Sequence, residues 1–165
     1  RLLQQTPRLL HEYRELSYAG CSVIVPLGLG WLWASGLGWA ADRFWTTVLL
    51  AGLPCFGSLP WFTTRPPREV EPESVNRDHL VARRLSLQVL NVGGIGWNTF
   101  PSGHVAASLA TALAVGAVSP LGGILFGALA LSIAIASVAG RYHYAVDALV
   151  GALIAVGATL ITAIL

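Results

Sequence analysis

The sequence predicts an all-α protein, a transmembrane helical bundle in which five spanning helices are visible. The first observation is composition: 55% of the 165 residues are hydrophobic and only 11% are charged, whereas soluble domains carry about 25% charged residues. The second is a set of five apolar stretches that approach the roughly 20 residues needed to cross a bilayer. They cover residues 17–39, 44–62, 102–118, 121–139 and 144–165. We therefore expect residues 1–165 to form a single membrane domain.

The segments between these stretches contain the turn and polar residues that a helical bundle needs. A turn with two glycines separates the first two stretches, and Ser119-Pro120 separates the third from the fourth. Residues 1–16 are predicted to be an interfacial piece or the truncated tail of an upstream helix. Residues 63–98 are predicted to be a polar loop, in which residues 81–92 have the pattern of an amphipathic helix lying at the interface.

Charge and cysteine content argue against several functional classes. All ten basic residues are Arg, but they are not interleaved with aromatic residues on a polar surface, so no nucleic-acid partner is expected. Cys21 and Cys55 lie in apolar stretches, where buried free thiols are the usual state. No cysteine and histidine cluster has the spacing of a zinc site, so no metal and no other cofactor is predicted.

Counting membrane crossings places the chemically active residues on one side. If each stretch spans once, the turn between the first two stretches and the Ser119-Pro120 turn share one membrane face. The polar loop, His104 and residues 140–143 then share the opposite face. Ionisable residues at the boundary of apolar helices are commonly functional, so this convergence predicts an active site on that face.

The start of the third stretch has the pattern of an anion-binding helix N-terminus. Proline suits the first turn of a helix, and Thr99 or Ser102 can cap it. Free N–H groups at a helix start bind phosphate, Gly103 allows close approach, and His104 lies in the same turn. The alternative is an ordinary cap with an incidental histidine, which is disfavoured for an ionisable residue at the membrane boundary.

The start of the fifth stretch pairs a histidine with a carboxylate. His143 and Asp147 are four residues apart and share one helix face. A carboxylate bonded to one imidazole nitrogen leaves the other free to attack an electrophile. Arg141 could neutralise phosphate oxygens, as could the guanidinium groups of Arg65 and Arg68, which two prolines hold near the membrane surface. The alternative is a structural ion pair, with the arginines as topology anchors.

Together these motifs resemble those of the type 2 phosphatidic acid phosphatase superfamily, whose site vanadium haloperoxidases share. The motifs are Arg65-Pro66, then Pro101-Ser102-Gly103-His104, then His143-x-x-x-Asp147. The resemblance covers about residues 17–165 and implies a six-helix membrane core. The five stretches would be its second to sixth helices, with the first lost or upstream.

The resemblance also implies a reaction and a role for each matched residue. The substrate would be a lipid phosphate or lipid diphosphate, processed through a phosphohistidine without a metal. The position of His143 is the family's nucleophile, that of Asp147 orients it, and that of His104 protonates the leaving group. The residues implied to hold the phosphate are Arg65, Ser102 and Gly103 through its backbone.

Two positions depart from the family pattern. Ser58 stands where the first motif often has Lys, and Ser137 stands where the third often has Arg. Arg68 and Arg141 are the candidate substitutes for phosphate binding. The Tyr-His-Tyr third motif resembles the branch with inositol-phosphorylceramide synthases and many bacterial lipid phosphatases, so both hydrolysis and transfer to an alcohol stay open.

The same residues allow two alternative functions, and the distribution of Arg bears on the membrane orientation. His104, His143 and Asp147 also form a two-histidine, one-carboxylate set that would suit iron or zinc, and a non-catalytic transporter or scaffold is a further alternative. The predicted active face carries nine of the ten Arg residues, which by the positive-inside rule would place it in the cytoplasm. The family places its site outside, and we expect that orientation, in a bacterial cytoplasmic membrane.

Overall fold

The computed structural model describes residues 8–70 and 99–165, and this part of the chain is helical and contains no strand. The all-α prediction is therefore confirmed. Short 3-10 turns at Gly20–Ser22 and Gly38–Ala40 join the first three helices. The helices are α1 (Arg8–Ala19), α2 (Ile24–Ala34), α3 (Ala41–Gly57), α4 (Pro67–Val70), α5 (Gly103–Gly116), α6 (Pro120–Ala139) and α7 (Ala145–Ile164). The amphipathic segment predicted at residues 81–92 lies outside the described residues.

Helix α5 is the centre of the bundle and packs against α2, α3, α6 and α7. Its Ala106, Ala110 and Val115 are fully buried. Small residues let apolar helices approach closely, and the approach is tightest where α5 turns into α6. There a Cβ added to Gly123 would lie 2.6 Å from the Gly116 Cα, so the two glycines allow backbone contact between these helices.

The described helices include two or three candidate membrane spans. Among the described residues, α6 and α7 have 20 residues each and are long and apolar enough to cross a bilayer, and α1 with α2 would make a third span that is bent by 66°. Helix α3 has 17 residues and α5 has 14. A 14-residue helix is about 21 Å long, against a hydrocarbon core of about 30 Å. The expectation of five spans is therefore not confirmed, because turns and site residues take up part of each apolar stretch.

Helix α1 overlaps the N-terminal piece predicted at residues 1–16. It begins at Arg8 and continues past residue 17, where the first apolar stretch was predicted to start. Its polar residues His11, Arg14 and Glu15 are buried, because α1 packs along α6. Hydropathy alone could not show this, since it assigns charged residues to water rather than to a protein interior.

The outward faces of the two longest helices are apolar. Soluble monomers rarely expose contiguous apolar patches of this extent, so these faces support membrane association. Trp33, Trp39 and Trp61 are exposed close to helix ends, where aromatic residues commonly meet the membrane interface. The exposed residues on the two helices include Leu121, Ile124, Leu131, Ile135, Leu149, Leu153, Leu160 and Ile164.

Candidate active site

The N-termini of α5 and α7 lie side by side, which brings the second and third motifs together. The Ser102 hydroxyl caps α5 by accepting the Val105 N–H at 3.4 Å. The Ser102 backbone N–H donates to the Asp147 carbonyl at 3.0 Å. Gly151 on α7 permits this approach, because a Cβ at that position would overlap the Ser102 carbonyl oxygen.

The two histidines of the motifs form a pair at this junction. The ring centroids of His104 and His143 are 5.8 Å apart, and the ring planes are at 82°. His143 is buried, and its Nδ1 lies 3.0 Å from the Thr99 carbonyl oxygen. Because a carbonyl only accepts hydrogen bonds, Nδ1 carries the proton and Nε2 carries the lone pair in the neutral ring. His143 is therefore held in the tautomer that a nucleophile acting through Nε2 requires.

Asp147 does not make the hydrogen bond to His143 Nδ1. Its Oδ2 is 3.7 Å from His143 Nδ1, which is within ion-pair range but too long for a hydrogen bond. The same oxygen accepts the Tyr144 N–H at 2.9 Å, so the carboxylate also caps the start of α7. The orienting acceptor in this structure is thus the Thr99 carbonyl, which reasoning from residue types missed because a backbone group leaves no side-chain signal.

Thr64 joins the first motif to the second. Its hydroxyl oxygen accepts the backbone N–H groups of Thr99 at 2.9 Å and Phe100 at 3.2 Å. It also lies 3.0 Å from the Thr99 hydroxyl, and the rings of Phe62 and Phe100 meet edge to face with centroids 5.4 Å apart. The segment that carries Arg65 is therefore fixed to the segment that supplies the acceptor for His143.

Two of the three candidate arginines meet beside the third motif. The Arg141 guanidinium donates to the Pro67 carbonyl at 3.1 Å, and the Arg68 N–H donates to the Arg141 carbonyl at 3.2 Å. Arg141 has φ 62, a left-handed conformation that non-glycine residues rarely adopt and that is enriched at functional sites. Arg65 lies on the exposed side of the same segment.

Arg68 has a buried hydrogen-bond donor without a partner among the described residues. Its Cζ lies 4.8 Å from the centroid of the Tyr142 ring, a cation–π distance. Its Nη1 is buried and has no hydrogen-bond partner within residues 8–70 and 99–165. A buried donor without a partner is costly, and a phosphate oxygen would supply one.

The two serines at the positions that depart from the family pattern are committed to helix ends. The Ser58 hydroxyl donates to the Cys55 carbonyl at 2.9 Å, and the Ser137 hydroxyl donates to the Ala134 carbonyl at 2.8 Å. The Ser137 carbonyl accepts the N–H groups of both Tyr142 and His143, at 3.0 and 3.1 Å. Ser58 therefore caps the end of α3 and Ser137 shapes the turn before α7, and neither side chain takes the place of Lys or Arg.

The metal-site alternative requires a cluster of metal-binding side chains. Within it, no three His, Cys, Asp or Glu side chains are grouped so that they could hold a metal ion. His143 directs its Nδ1 to the Thr99 carbonyl, so this nitrogen is not available as a ligand.

The fold and the site define a class: an all-helical, membrane-associated protein with paired histidines at adjacent helix starts and arginines docked next to them. A family model described as the PAP2 superfamily matches residues 1–161, and the chain belongs to that superfamily. Membership indicates a phosphatase-type enzyme that acts on a phosphorylated substrate. In the comparisons, no curated protein and no solved structure matched the chain significantly.

Proposed function

We propose that the chain is an integral-membrane enzyme that removes or transfers the phosphoryl group of a lipid phosphate or lipid diphosphate through a phosphohistidine on His143. One observation carries the proposal. The His143 Nδ1–H is bonded to the Thr99 carbonyl at 3.0 Å, while its ring lies 5.8 Å from that of His104. This arrangement supplies one imidazole as the nucleophile and a second as the acid and base.

The first step forms the phosphoenzyme. The Nε2 lone pair of His143 attacks phosphorus, a nitrogen–phosphorus bond forms, and the bond to the leaving oxygen breaks. Protonated His104 gives its proton to that oxygen, so that a lipid monophosphate substrate releases the neutral lipid alcohol and a lipid diphosphate releases the lipid monophosphate. In the second step neutral His104 takes a proton from water or an acceptor alcohol, whose oxygen attacks phosphorus and releases His143.

Positive groups would stabilise the charge on the transferred phosphoryl oxygens. The backbone N–H groups of Gly103 and His104, at the start of α5 and next to the Ser102 cap, form an anion site. Arg68 offers its unpaired Nη1, and Arg141 stands next to the nucleophile's turn. Arg65 would contact the phosphate from the exposed side. Catalysis of phosphoryl transfer rests mainly on such positioning and charge stabilisation.

A lipid substrate is supported by where the site lies in the bundle. The starts of α5 and α7 lie together, and α7 exposes leucine and isoleucine along its outer face. A headgroup at the membrane surface would reach these helix starts while its chains stay beside the apolar faces. We propose a site that faces outside the cytoplasm, and we leave water and an alcohol as alternative acceptors.

Product analysis tests the proposal directly. Purified protein in detergent is incubated with labelled lipid phosphates and diphosphates, with and without an alcohol acceptor. We expect release or transfer of phosphate and a trapped phosphoenzyme that is stable to base and labile to acid. The His143→Asn variant should lose both, and His11→Asn is a control because that histidine lies on α1 beside Arg14. No phosphate release from any substrate would refute the proposal.

A further inference from the structure

Tyr18 on α1 lies between the second and third motifs of the site, in contact with His104 and Tyr142. Its ring is stacked on that of Tyr142, with centroids 3.7 Å apart and planes at 4°. It also meets His104 edge to face, with centroids 5.5 Å apart and planes at 84°. Tyr18 is only 6% exposed, so its ring is a buried part of the wall around His104.

The position of the His104 ring depends on such packing. No described residue makes a hydrogen bond to its imidazole, and the aromatic groups against it are Tyr18 and His143. Edge-to-face contacts are specific in geometry and contribute about 0.5–1.5 kcal/mol beyond burial. The orientation of this imidazole is therefore set by its neighbours' rings.

Tyr142, on which Tyr18 stacks, is fixed in turn by α1. Its hydroxyl donates to Glu15 Oε2 at 2.5 Å, and Glu15 is 3% exposed. Hydrogen bonds to a buried carboxylate are among the strong ones. The Arg68 guanidinium lies over the same tyrosine ring. A continuous series of contacts therefore runs from Glu15 through Tyr142 and Tyr18 to His104.

We infer that Tyr18 is a positioning residue for His104, and that Glu15 and Tyr142 hold Tyr18 in place. This inference rests on the proposed function, in which His104 donates a proton to the leaving oxygen. Proton transfer needs hydrogen-bond distance between acid and acceptor, so a displaced imidazole slows departure of a basic alkoxide. Departure of the weakly basic p-nitrophenolate needs the proton much less.

The test compares the two leaving groups in Tyr18→Leu, which removes the ring and keeps apolar bulk. We expect kcat for a short-chain alkyl phosphate to fall about tenfold. With p-nitrophenyl phosphate the fall should be under about threefold, and KM for both should change little. Tyr18→Phe should restore both rates. Tyr13→Leu is the matched control, because Tyr13 lies on the same helix and bonds Ser132 at 2.6 Å. Equal losses with both substrates, or none, would overturn the inference.

Two further measurements separate failure of this inference from failure of the proposed function. His104→Ala should show the same selective loss on the alkyl substrate; if it keeps full activity on both, the proposed function is wrong. The imidazole NMR signals of His104 should shift in Tyr18→Leu and stay in place in Tyr13→Leu. Unshifted signals in folded Tyr18→Leu would contradict the contact between Tyr18 and His104, whatever activity the variant has. Should Tyr18→Leu fail to fold, Tyr142→Phe, which loses the bond to Glu15 but keeps the ring under Tyr18, must show the same selectivity with a smaller loss of rate.

Discussion

The two histidines of the site are held in different ways. His143 is anchored by two hydrogen bonds to main-chain carbonyl groups. Its ring Nδ1–H donates to the Thr99 carbonyl, and its backbone N–H donates to the Ser137 carbonyl. His104 is held by ring contacts with Tyr18 and His143. The difference suits the proposed roles, because a nucleophile needs one fixed tautomer, whereas an acid that later acts as a base must release and regain a proton.

The largest expected effect comes from removing the fixed histidine. His143→Asn should lower kcat at least about a thousandfold, because no other group would form the phosphoenzyme. Its Nδ2 could still reach the Thr99 carbonyl, so the fold should persist. Phosphate release and acid-labile labelling are measured beside His11→Asn. Turnover above one hundredth of wild type would assign the nucleophile elsewhere.

The next effect concerns the guanidinium beside the site. Arg68→Lys keeps the charge but loses the planar group over Tyr142 and its unpaired Nη1. We expect kcat/KM to fall about tenfold, and inorganic phosphate to inhibit more weakly. Arg43→Lys is the control, since Arg43 is exposed in the first turn of α3, at the opposite end of that helix from the site. Matching values for the two variants would remove Arg68 from phosphate binding.

A third prediction tests the contact that joins the two histidine regions. Gly151→Ala places a Cβ on the Ser102 carbonyl oxygen, a backbone atom that cannot move aside. We expect a loss of about 1–3 kcal/mol in the free energy of unfolding, with reduced activity. Gly157→Ala on the same helix meets nothing within 4 Å and should be neutral or slightly stabilising. Equal stability of both variants would show that α5 and α7 are not in backbone contact here.

The smallest effect is expected at Thr64. Thr64→Val removes the acceptor for the N–H groups of Thr99 and Phe100, which should cost about 1–2 kcal/mol. Activity should fall only a few-fold, because the Thr99 carbonyl would be loosened and not lost. Thr46→Val, whose hydroxyl bonds within α3 at 2.8 Å, is the comparison for thermal unfolding and turnover. A larger stability loss in Thr46→Val would contradict the expectation.

The sequence predicted the long apolar helices and the motifs whose chemistry lies in side chains. Apolar length placed α6 and α7 within a residue of their observed bounds, and short motifs indicated the superfamily that the family model confirms. The assigned roles of His104, His143 and Asp147 stay predictions. The span count was not confirmed, because hydropathy measures apolar length and detects neither the 66° bend after α1 nor the turns and site residues that shorten α3 and α5.

What escaped prediction has a common physical origin. The contacts of Glu15 and Tyr18 with Tyr142 join residues that are far apart in the chain, and α1 carries no motif that would mark them. Composition predicted an interfacial piece or the tail of an upstream helix there, and it gave no sign that packing against α6 buries His11, Arg14 and Glu15. Pairing between distant segments is decided by the whole bundle and not by local sequence.

The main-chain anchors of His143 have a practical meaning for engineering this enzyme. The oxygens that fix its ring and its peptide belong to the carbonyl groups of residues 99 and 137. An alanine scan replaces side chains and leaves carbonyl groups unchanged, so it would pass over both. Both side chains are buried, so only replacements of similar size would keep these carbonyl groups in place, and a one-residue deletion in either segment would put the wrong oxygen against His143.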